Sequence, residues 1–481
     1  MDRMGRMAKM SRAAAPSIAP AAPEEEGEQP FVLHGHGREN RVRARKPVQY
    51  MDALTRAPHS LLFPIPDSRF PIPDSRFPIP DSRFPIPDSR FPIPDSRFPT
   101  MADYITTTLI ELVQTRSINP VFADGEPSDE RAIAAHLSAL MRALGMETTD
   151  YEPEPGRVSV VGRLRGIGGG RSLLLYGHID TVGIAGMPEP FAAAVRGGKL
   201  YGRGAYDMKC GVTACLAAVK ALRDAGTALR GDVLIAGVAD EEAASIGMAD
   251  VLRHVTADAA IVTEPTELRV CLAHRGFIWI EVETLGVAAH GSRFDLGIDA
   301  NMRMGRFLAR LDKLEQELRT RPPHPLVGPP SLHAATLRGG TGISTYADRC
   351  RLEIERRTIP GETEEQVLAE IRAITDALAA EDPTFRATVK PMLTRSSFEV
   401  DRNAPIVDAV LGAAEDVLGT KPKVIGEPYW MDAALLSSAG IDTVVVGPSG
   451  AGAHALEEWV DLDSIHKVAD ILAKAATEFC A

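Results

Sequence analysis

The segment SLLLYGHIDTV, residues 172–182, places an uninterrupted apolar run directly before a histidine and an aspartate. An apolar run without alternation is typical of a strand that is buried on both faces, as in a parallel sheet covered by helices. Later segments repeat the pattern of an apolar run followed by acidic or histidine residues: DVLIAGVADEE (232–242), AAIVTEP (259–265) and TVVVGPSGAGAH (443–454). Because open α/β sheets place their sites at the carboxyl ends of such strands, we expect these polar side chains to meet.

The polar residues at these strand ends and helix starts have side chains that bind metals. They are His178, Asp207, Glu241, Glu242, Glu264 and His454. Each alone has an ordinary explanation: Asp207 suits a helix N-cap, and Glu241 and Glu242 suit the start of a helix. Their recurrence at successive strand ends favours one shared site. Two imidazoles and three carboxylates, with one spare acid, suit two divalent ions that share a bridging carboxylate. The sequence therefore predicts a dinuclear centre, with Zn²⁺ expected and Co²⁺ or Mn²⁺ able to replace it.

The motifs around these residues resemble one known family. It is the acetylornithine deacetylase / succinyl-diaminopimelate desuccinylase family of zinc amidohydrolases and peptidases, which includes carboxypeptidase G and the aminoacylases. The matching segments lie in the family's order within residues 101–481: GHIDTV, GRGAYDMKCG, DEEAAS, TEP, GVAAHGSRFDLGIDAN, ERRTIPGE and GPSGAGAHALEEW. The resemblance implies an α/β fold, with a zinc-exopeptidase-like catalytic sheet flanked by helices and an inserted ferredoxin-like α+β lid and dimerisation domain. It does not specify one substrate.

The resemblance also implies how the metal ligands are shared. Asp207 would bridge both ions, and His178 and Glu264 would complete opposite metal sites. Glu242 and His454 would bind the same ion. Two ions sharing a bridging carboxylate activate a water molecule and polarise the substrate carbonyl.

Two further carboxylates would act beside the metals. Asp180 would hydrogen-bond His178 and fix its tautomer. Glu241 would be the general base that takes a proton from water and passes it to the departing amine. Cys210 departs from the family, which commonly has glycine there; we expect a small buried cysteine at a helix start, not a ligand.

The lid would contribute substrate contacts. By the resemblance, His290 holds the developing oxyanion, often in the site of a partner subunit, which implies a homodimer formed through the lid. Arg357 matches the family arginine that binds a substrate carboxylate, and Asn301 is a further candidate for substrate binding. The segment GGTGISTYADRC has Ser344 and Thr345 where many relatives carry asparagine.

The chain from Met101 alternates strand and helix patterns. We predict a catalytic domain in two parts, residues 101–274 and 394–481, and a lid over residues 275–393. Within the lid, FIWIEVET alternates as a half-buried strand, and Thr363 and Gln366 form a capping box. The glycines of GRLRGIGGGRSLLLYG suggest a hairpin.

The first hundred residues differ from the rest of the chain because they contain tandem repeats rich in proline. Five perfect copies of FPIPDSR run from Phe63 to Arg97. Their prolines deny helix and sheet hydrogen bonds, so we expect residues 1–100 to form a disordered, polyproline-like extension. One interpretation is a docking linker; the other is a translated tandem repeat with the protein starting at Met101. We favour the second because selected linkers drift in sequence.

Composition narrows the classes of partner. The chain has 481 residues and a net charge of −12, which argues against nucleic-acid and anionic-membrane partners. The sequence contains no run of 18 or more apolar residues, so no membrane-spanning helix is predicted. The five cysteines are odd in number and scattered, which favours reduced side chains in a cytoplasmic protein.

The sequence therefore predicts a dinuclear hydrolase that removes the acyl group from N-acyl amino acids. A dipeptidase or carboxypeptidase-like enzyme of the same family is the alternative, with a short peptide as substrate. A non-catalytic metal-binding interaction protein is a third hypothesis. The presence of both the ligands and the base Glu241 argues against it.

Overall fold

The computed structural model describes residues 100–184 and 186–481. The predictions for the FPIPDSR repeats and for the rest of residues 1–99 lie outside these ranges. The helices are α1 Met101–Gln114, α2 Arg131–Ala143, α3 Lys209–Asp224, α4 Ile246–Val251, α5 Ala300–Thr320, α6 Glu364–Glu381, α7 Pro405–Leu418, α8 Ala433–Ser438 and α9 Leu462–Phe479. The strands are β1 Glu147–Tyr151, β2 Ser159–Leu164, β3 Leu173–His178, β4 Ala194–Arg196, β5 Lys199–Tyr201, β6 Val233–Val238, β7 Ala259–Val262, β8 Val270–His274, β9 Gly276–Leu285, β10 Ser331–Gly339, β11 Arg349–Thr358, β12 Arg386–Arg395, β13 Phe398–Glu399, β14 Val424–Glu427, β15 Asp442–Val445, β16 Gly450–Ala451 and β17 Trp459–Asp461.

The largest sheet in the described part of the chain has nine strands. Their order is β1-β2-β6-β3-β7-β15-β8-β13, with β14 pairing with β8. Strands β6, β3, β7 and β15 are parallel neighbours, and β3 and β6 are buried along their whole length. Burial on both faces explains why their sequences are mostly apolar at consecutive positions. The predicted α/β fold is confirmed.

The glycine-rich segment between β2 and β3 does not form the suggested hairpin. Strand β6 lies between them, antiparallel to β2 and parallel to β3. The connection instead passes beside the residues that precede β6, where the Ile167 N–H donates to the carbonyl of Leu229. Glycine is required where the connection passes this close to another segment, because a Cβ atom on Gly166 or Gly170 would clash with the backbone of Gly231.

Helix α3 packs against the catalytic sheet at β3. Its side chains are buried from Lys209 to Val219, against β3, α1 and α9. The apolar residues of α3 are buried, and the opposite face is covered as well because α1 and α9 pack over it. This burial fixes the start of α3 and with it the loop that carries Asp207.

The lid forms a second sheet with a core of its own. Its strand order is β10-β11-β9-β12, all antiparallel. Along β9, Ile278, Ile280 and Val282 are buried in a core shared with α5 and α6. The predicted capping box of α6 is present, with Thr363 and Gln366 each binding the other's backbone N–H. The separate cores support domain boundaries near residues 275 and 393, which stay a prediction.

A small third sheet joins distant parts of the chain. Its order is β16-β17-β5-β4, so residues 450–461 pair with residues 194–201. This pairing brings the loop of His454 to the loop of Asp207. Among the described residues, no helix is both long and apolar enough to cross a membrane.

Candidate metal centre

Three parallel strands bring four of the predicted site residues to one edge of the main sheet. His178 is the last residue of β3, Glu241 and Glu242 follow β6, and Glu264 follows β7. Strand β3 lies between β6 and β7 and is parallel to both. The carboxyl ends of the three strands therefore face the same region, as parallel strand geometry requires.

Asp207 and His454 reach this region from loops. The Nε2 atom of His178 lies 3.1 Å from one oxygen of Asp207 and 3.7 Å from a Glu264 oxygen. The Nε2 atom of His454 lies 3.2 Å from the other oxygen of Asp207 and 3.0 Å from a Glu242 oxygen. In each group of three residues, the candidate ligand atoms all lie within 4.8 Å of one another. Asp207 belongs to both groups, with one oxygen directed to each.

The predicted assignment of His178 and Glu264 to opposite metal sites is wrong. The structure places both in one group with Asp207, while Glu242 and His454 form the other. The cause is strand order. Strands β3 and β7 are adjacent, so His178 and Glu264 end side by side, whereas Glu242 follows β6 on the other flank of β3.

The charges in this region are strongly coupled. Hydrogen bonds to Asp207 and Glu242 raise the pKa of His454 to about 10. Burial alone lowers the pKa of His178, but hydrogen bonds to Asp180 and Asp207 leave it well above its usual value. Burial raises the pKa of Glu264 to about 8, although the His178 imidazole opposes the shift. The neighbouring acids therefore raise the pKa of each imidazole, and the imidazoles in turn oppose the effect of burial on the acids.

The residues fit a pair of divalent cations. The donor set combines imidazole nitrogens with carboxylate oxygens, and Asp207 can bridge. Within the described residues, the buried Oε1 atom of Glu242 has no hydrogen-bond partner. Burial and the neighbouring Asp207 charge both raise the pKa of Glu242. An unpartnered buried carboxylate oxygen is costly, and a metal ion would satisfy it.

Asp180 supports the site in a manner that differs in part from the prediction. The His178 Nδ1 atom lies 3.0 Å from the main-chain carbonyl oxygen of Asp180 and 3.5 Å from its carboxylate. The carboxylate accepts the backbone N–H groups of Glu241 and Glu242 at 3.1 and 3.2 Å. It also accepts the Asn119 side-chain amide at 2.9 Å. Asp180 therefore orients His178 and anchors the Glu241–Glu242 segment together.

Glu241 lines a cavity of about 470 Å³ next to the two groups. The residues around the cavity are Tyr206, Asp207, Glu241, Glu242, Glu264, Pro265, Glu267, Arg269, Glu427, Tyr429, Trp430, Met431, Ala453 and His454. Burial raises the pKa of Glu241 well above its usual value, and the His178 charge acts in the opposite direction. A carboxyl in such a place can hold a proton and release it during a reaction.

The predicted lid residues do not line this cavity. His290 is exposed, with its Nδ1 atom 2.8 Å from the Ser292 hydroxyl. Asn301 lies exposed in the first turn of α5. The Arg357 Nε–H donates to Glu355 at 2.6 Å, and its guanidinium lies over the Phe277 ring. Their predicted roles stay predictions.

The loop with Ser344 and Thr345 lies beside His290, not beside the metal groups. Thr345 forms an isolated bridge with His290, and the carbonyl of Ser344 accepts the Gly291 N–H at 2.8 Å. Cys210 is buried, donates to the carbonyl of Tyr206 and belongs to neither group of candidate ligands. The expected small buried cysteine at a helix start is observed, because Cys210 lies in the first turn of α3.

Sequence reasoning missed one buried ion pair behind the site. Arg203 and Glu458 are each 1% exposed, and their side chains meet at 2.6 Å. Glu458 also accepts the backbone N–H groups of Tyr206 and Asp207 at 2.8 and 3.0 Å. Arg203 donates to the carbonyl of Ala455, in the loop of His454. The pair therefore ties together the two loops that carry Asp207 and His454.

Comparison with known proteins identifies the family of the chain. The profile of peptidase family M20/M25/M40 matches residues 174–478. The chain belongs to this family. The resemblance predicted from the motifs is thus confirmed, together with the predicted class of enzyme, a metal-dependent hydrolase of amide bonds.

Relatives of this M20 protein include two curated enzymes and a solved structure. It is 29% identical over 387 residues to the acetylornithine deacetylase of Myxococcus xanthus, covering 78% of this chain and 97% of the relative. It is 28% identical over 380 residues to the N-formyl-4-amino-5-aminomethyl-2-methylpyrimidine deformylase of Bacillus subtilis, covering 72% and 89%. The fold matches the Bacillus subtilis YXEP protein, a dinuclear metal-binding peptidase from the M20 family, with a TM-score of 0.61 and 17% identity over 78% of this chain and 98% of the other.

Proposed function

We propose that this M20 protein is a dinuclear deacylase that hydrolyses the amide bond of N-acyl amino acids. The observation that carries the proposal is the position of Asp207 between two groups of ligands, with Glu241 in the same cavity. Two relatives support the type of reaction, because a deacetylase and a deformylase both remove an acyl group.

The proposed ligands follow the two observed groups. His178, Asp207 and Glu264 would hold one ion, and Asp207, Glu242 and His454 would hold the other. We propose Zn²⁺ because imidazole and carboxylate donors suit it, and Co²⁺ suits the same donors. Two such ions, when bound, polarise the substrate carbonyl and lower the pKa of a water molecule.

Glu241 is the proposed general base. It accepts a proton from the attacking water and donates it to the amide nitrogen, which is a poor leaving group until it is protonated. The buried position favours the protonated carboxyl between these steps. The bond from its backbone N–H to Asp180 holds Glu241 at the cavity wall.

The proposed substrate contacts of the lid are Arg357, for the α-carboxylate, and Asn301. The Nε–H of Arg357 is bound to Glu355, but a guanidinium has five N–H donors. The remaining donors can form a bidentate pair with a carboxylate. In the described chain Arg357 lies outside the cavity lining, so this role requires the lid, or that of a partner, to close on the substrate.

The lid surface near His290 supports a homodimer. Several large apolar side chains in this part of the lid are exposed: Val287, Phe294, Leu296, Leu337 and Ile343. Strand β10 is an edge strand, so its outer backbone groups can pair with another strand. Exposed apolar surface beside an open sheet edge is typical of an interface. We propose that two lids pair here and that His290 reaches the cavity of the partner subunit.

Mixing two inactive variants tests this arrangement. His290→Ala removes the donor supplied to the partner, and Glu241→Gln removes the base of its own cavity. Each mixed dimer then has one complete cavity out of two, and half of randomly paired C2 dimers are mixed. Co-produced variants should therefore recover about a quarter of the wild-type activity. If His290 acts within its own chain, neither cavity of a mixed dimer is complete and mixing recovers nothing.

Hydrolysis of a substrate panel tests the function itself. Zinc-loaded protein should cleave N-acetyl, N-formyl or N-succinyl amino acids with a higher kcat/KM than dipeptides of matched side chains. Faster cleavage of dipeptides would instead assign a peptidase. Two bound ions with no turnover of either class would support the non-catalytic hypothesis.

The cysteines support a cytoplasmic location as a further part of the proposal. Cys210, Cys215, Cys271, Cys350 and Cys480 are free and buried. Burial raises the pKa of each thiol, which keeps the side chains as unreactive thiols. Such a set suits a reducing compartment.

A further inference from the structure

The turn that presents Glu241 and Glu242 has an unfavourable backbone at both ends. Asp240 and Ser245, which flank the turn, have φ angles of 70° and 54°, in the left-handed region that residues other than glycine seldom adopt. The turn closes through a bond from the Ser245 N–H to the Asp240 carbonyl. Such a backbone persists only where the surrounding structure holds it, so contacts outside the turn must fix its position.

Two buried carboxylates bind this turn. Asp180 accepts the backbone N–H groups of Glu241 and Glu242 at 3.1 and 3.2 Å. The Asp240 carboxylate accepts the N–H of Ile246 at 3.3 Å, at the far end of the turn. Both carboxylates are buried, so each needs donors in place of water.

Asn119 joins the two carboxylates. Its side-chain NH₂ group donates to Asp180 and to Asp240, each at 2.9 Å. Its side-chain oxygen accepts the Arg157 guanidinium at 2.8 Å and the Val121 N–H at 3.1 Å. An asparagine amide has two N–H donors and an oxygen with two acceptor positions, so all four are used. Because the carboxylates lie on one side and the donors on the other, only one orientation of the amide satisfies every bond.

The amide suits this position better than a charged group. An aspartate would keep both acceptor bonds but would place a third carboxylate against Asp180 and Asp240. Positive charge comes instead from Arg157, whose guanidinium lies 3.1 Å from Asp240 and also pairs with Glu130. Asn119 is itself 0% exposed. A buried and fully bonded amide fixes the distance between the two carboxylates.

The other group of metal ligands is held by different contacts. His178 and Glu264 lie at the ends of the neighbouring strands β3 and β7. The His178 Nδ1 atom is bonded to the main-chain carbonyl of Asp180, which does not involve the carboxylate. The backbone N–H of Asp207, the residue common to both groups, is bound to a carboxylate of the His454 loop region. This group therefore does not depend on Asn119.

We propose that Asn119 positions Glu241 and Glu242 by holding the carboxylates of Asp180 and Asp240 together. It is a positioning residue that acts through these two aspartates. Its effect on catalysis rests on the proposed function, in which Glu241 is the base. Its effect on Glu242 and the ion of that group does not require the protein to be a deacylase.

Metal titration tests the positioning without a substrate. In calorimetry with Zn²⁺, Asn119→Ala should weaken the binding of one ion about 10–100-fold, the usual effect of losing a group that supports a ligand, and leave the other unchanged. The weakened ion should be the one that Glu242→Gln loses. Asn119→Asp, which adds a buried charge, should have a larger effect. Asn403→Asp is the control: it makes the same change beside the Asp401 carboxylate, at 3.1 Å on an exposed surface, and should alter neither affinity.

Hydrogen exchange of the metal-free protein reports on the turn itself. Residues 239–246 should exchange faster in Asn119→Ala than in the wild type, because the bonds from Glu241 and Glu242 to Asp180 open more often. Residues 173–178 of β3 should exchange as in the wild type. An equal rise in both segments, or equal weakening of both ions, would show a general loss of stability and overturns the positioning role.

Kinetics with both ions bound test the effect on the base. Asn119→Ala should lower kcat about tenfold or more and leave KM near the wild-type value, because the base is displaced while the substrate contacts remain. An unchanged kcat with unchanged metal affinities overturns the proposal. If the wild type cleaves no acyl amino acid while Asn119→Ala still weakens one ion selectively, the positioning of Glu242 stands and the deacylase function alone is overturned.

Discussion

Replacement of Glu241 by glutamine should lower kcat of the metal-loaded protein by about 10²–10⁴-fold, the range that one general base supplies. Glutamine keeps the size of the side chain but cannot accept a proton from water or return it to the amine. Glu241 belongs to neither group of candidate ligands, so the variant should still bind two ions. The measurements are kcat on the best substrate of the panel and metal content per chain.

The neighbouring residue provides a matched control. Glu242→Gln makes the same chemical change one position along the chain, but Glu242 lies 3.0 Å from His454 within a ligand group. This variant should lose about one ion per chain, because its group is left with Asp207 and His454, and excess zinc should recover part of its activity. If Glu241→Gln also loses metal, or keeps more than a tenth of the wild-type kcat, Glu241 is not the base.

Four of the candidate site residues could be placed together from the sequence because strand ends are local features. The apolar runs before His178 and Glu264 are buried strands; His178 is the last residue of its strand, and Glu264 lies two residues after its strand ends. Parallel strands then place these ends at one edge of the sheet whatever their order. The general location of the site required no knowledge of which strands are neighbours.

The grouping of the ligands did depend on strand order, and that part of the prediction failed. Adjacent strands β3 and β7 put His178 and Glu264 in one group. The suggested hairpin failed for the same reason, since β6 separates two strands that are consecutive in sequence. Strand order is set by packing of the whole sheet, and periodicity in a single segment carries no information about it.

Buried polar pairs far apart in sequence were also missed. The hydroxyl of Tyr176 donates to Asp432 at 2.6 Å across 256 positions, and Arg203 pairs with Glu458 across 255. Asn119 donates to Asp180 and Asp240 from a loop without any motif. An isolated polar residue forms no periodic pattern in the sequence, so its partner can be identified only from the folded structure.

The Arg203–Glu458 pair gives the largest expected effect on stability. Arg203→Met leaves the Glu458 carboxylate buried without its cation, which should cost about 3–5 kcal/mol in the free energy of unfolding. It also removes the hydrogen bond to Ala455, so the loop of His454 should loosen and metal affinity should fall. Urea denaturation and zinc titration measure the two effects. Arg165→Met is the control, because Arg165 pairs with Glu147 on an exposed surface and should cost at most about 1 kcal/mol.

A double variant and a change of pH separate the buried charge from lost packing. Arg203→Met/Glu458→Gln removes both charges but keeps an oxygen that can accept the N–H groups of Tyr206 and Asp207, so it should be more stable than Arg203→Met alone. Burial already raises the pKa of Glu458, with Arg203 opposing it. Without Arg203 the folded-state pKa rises further above the unfolded value, so the deficit should shrink as the pH is lowered toward the usual pKa of glutamate and grow as the pH rises. A deficit that is the same at every pH, and is not relieved in the double variant, would show that Arg203 acts through packing and not through its charge.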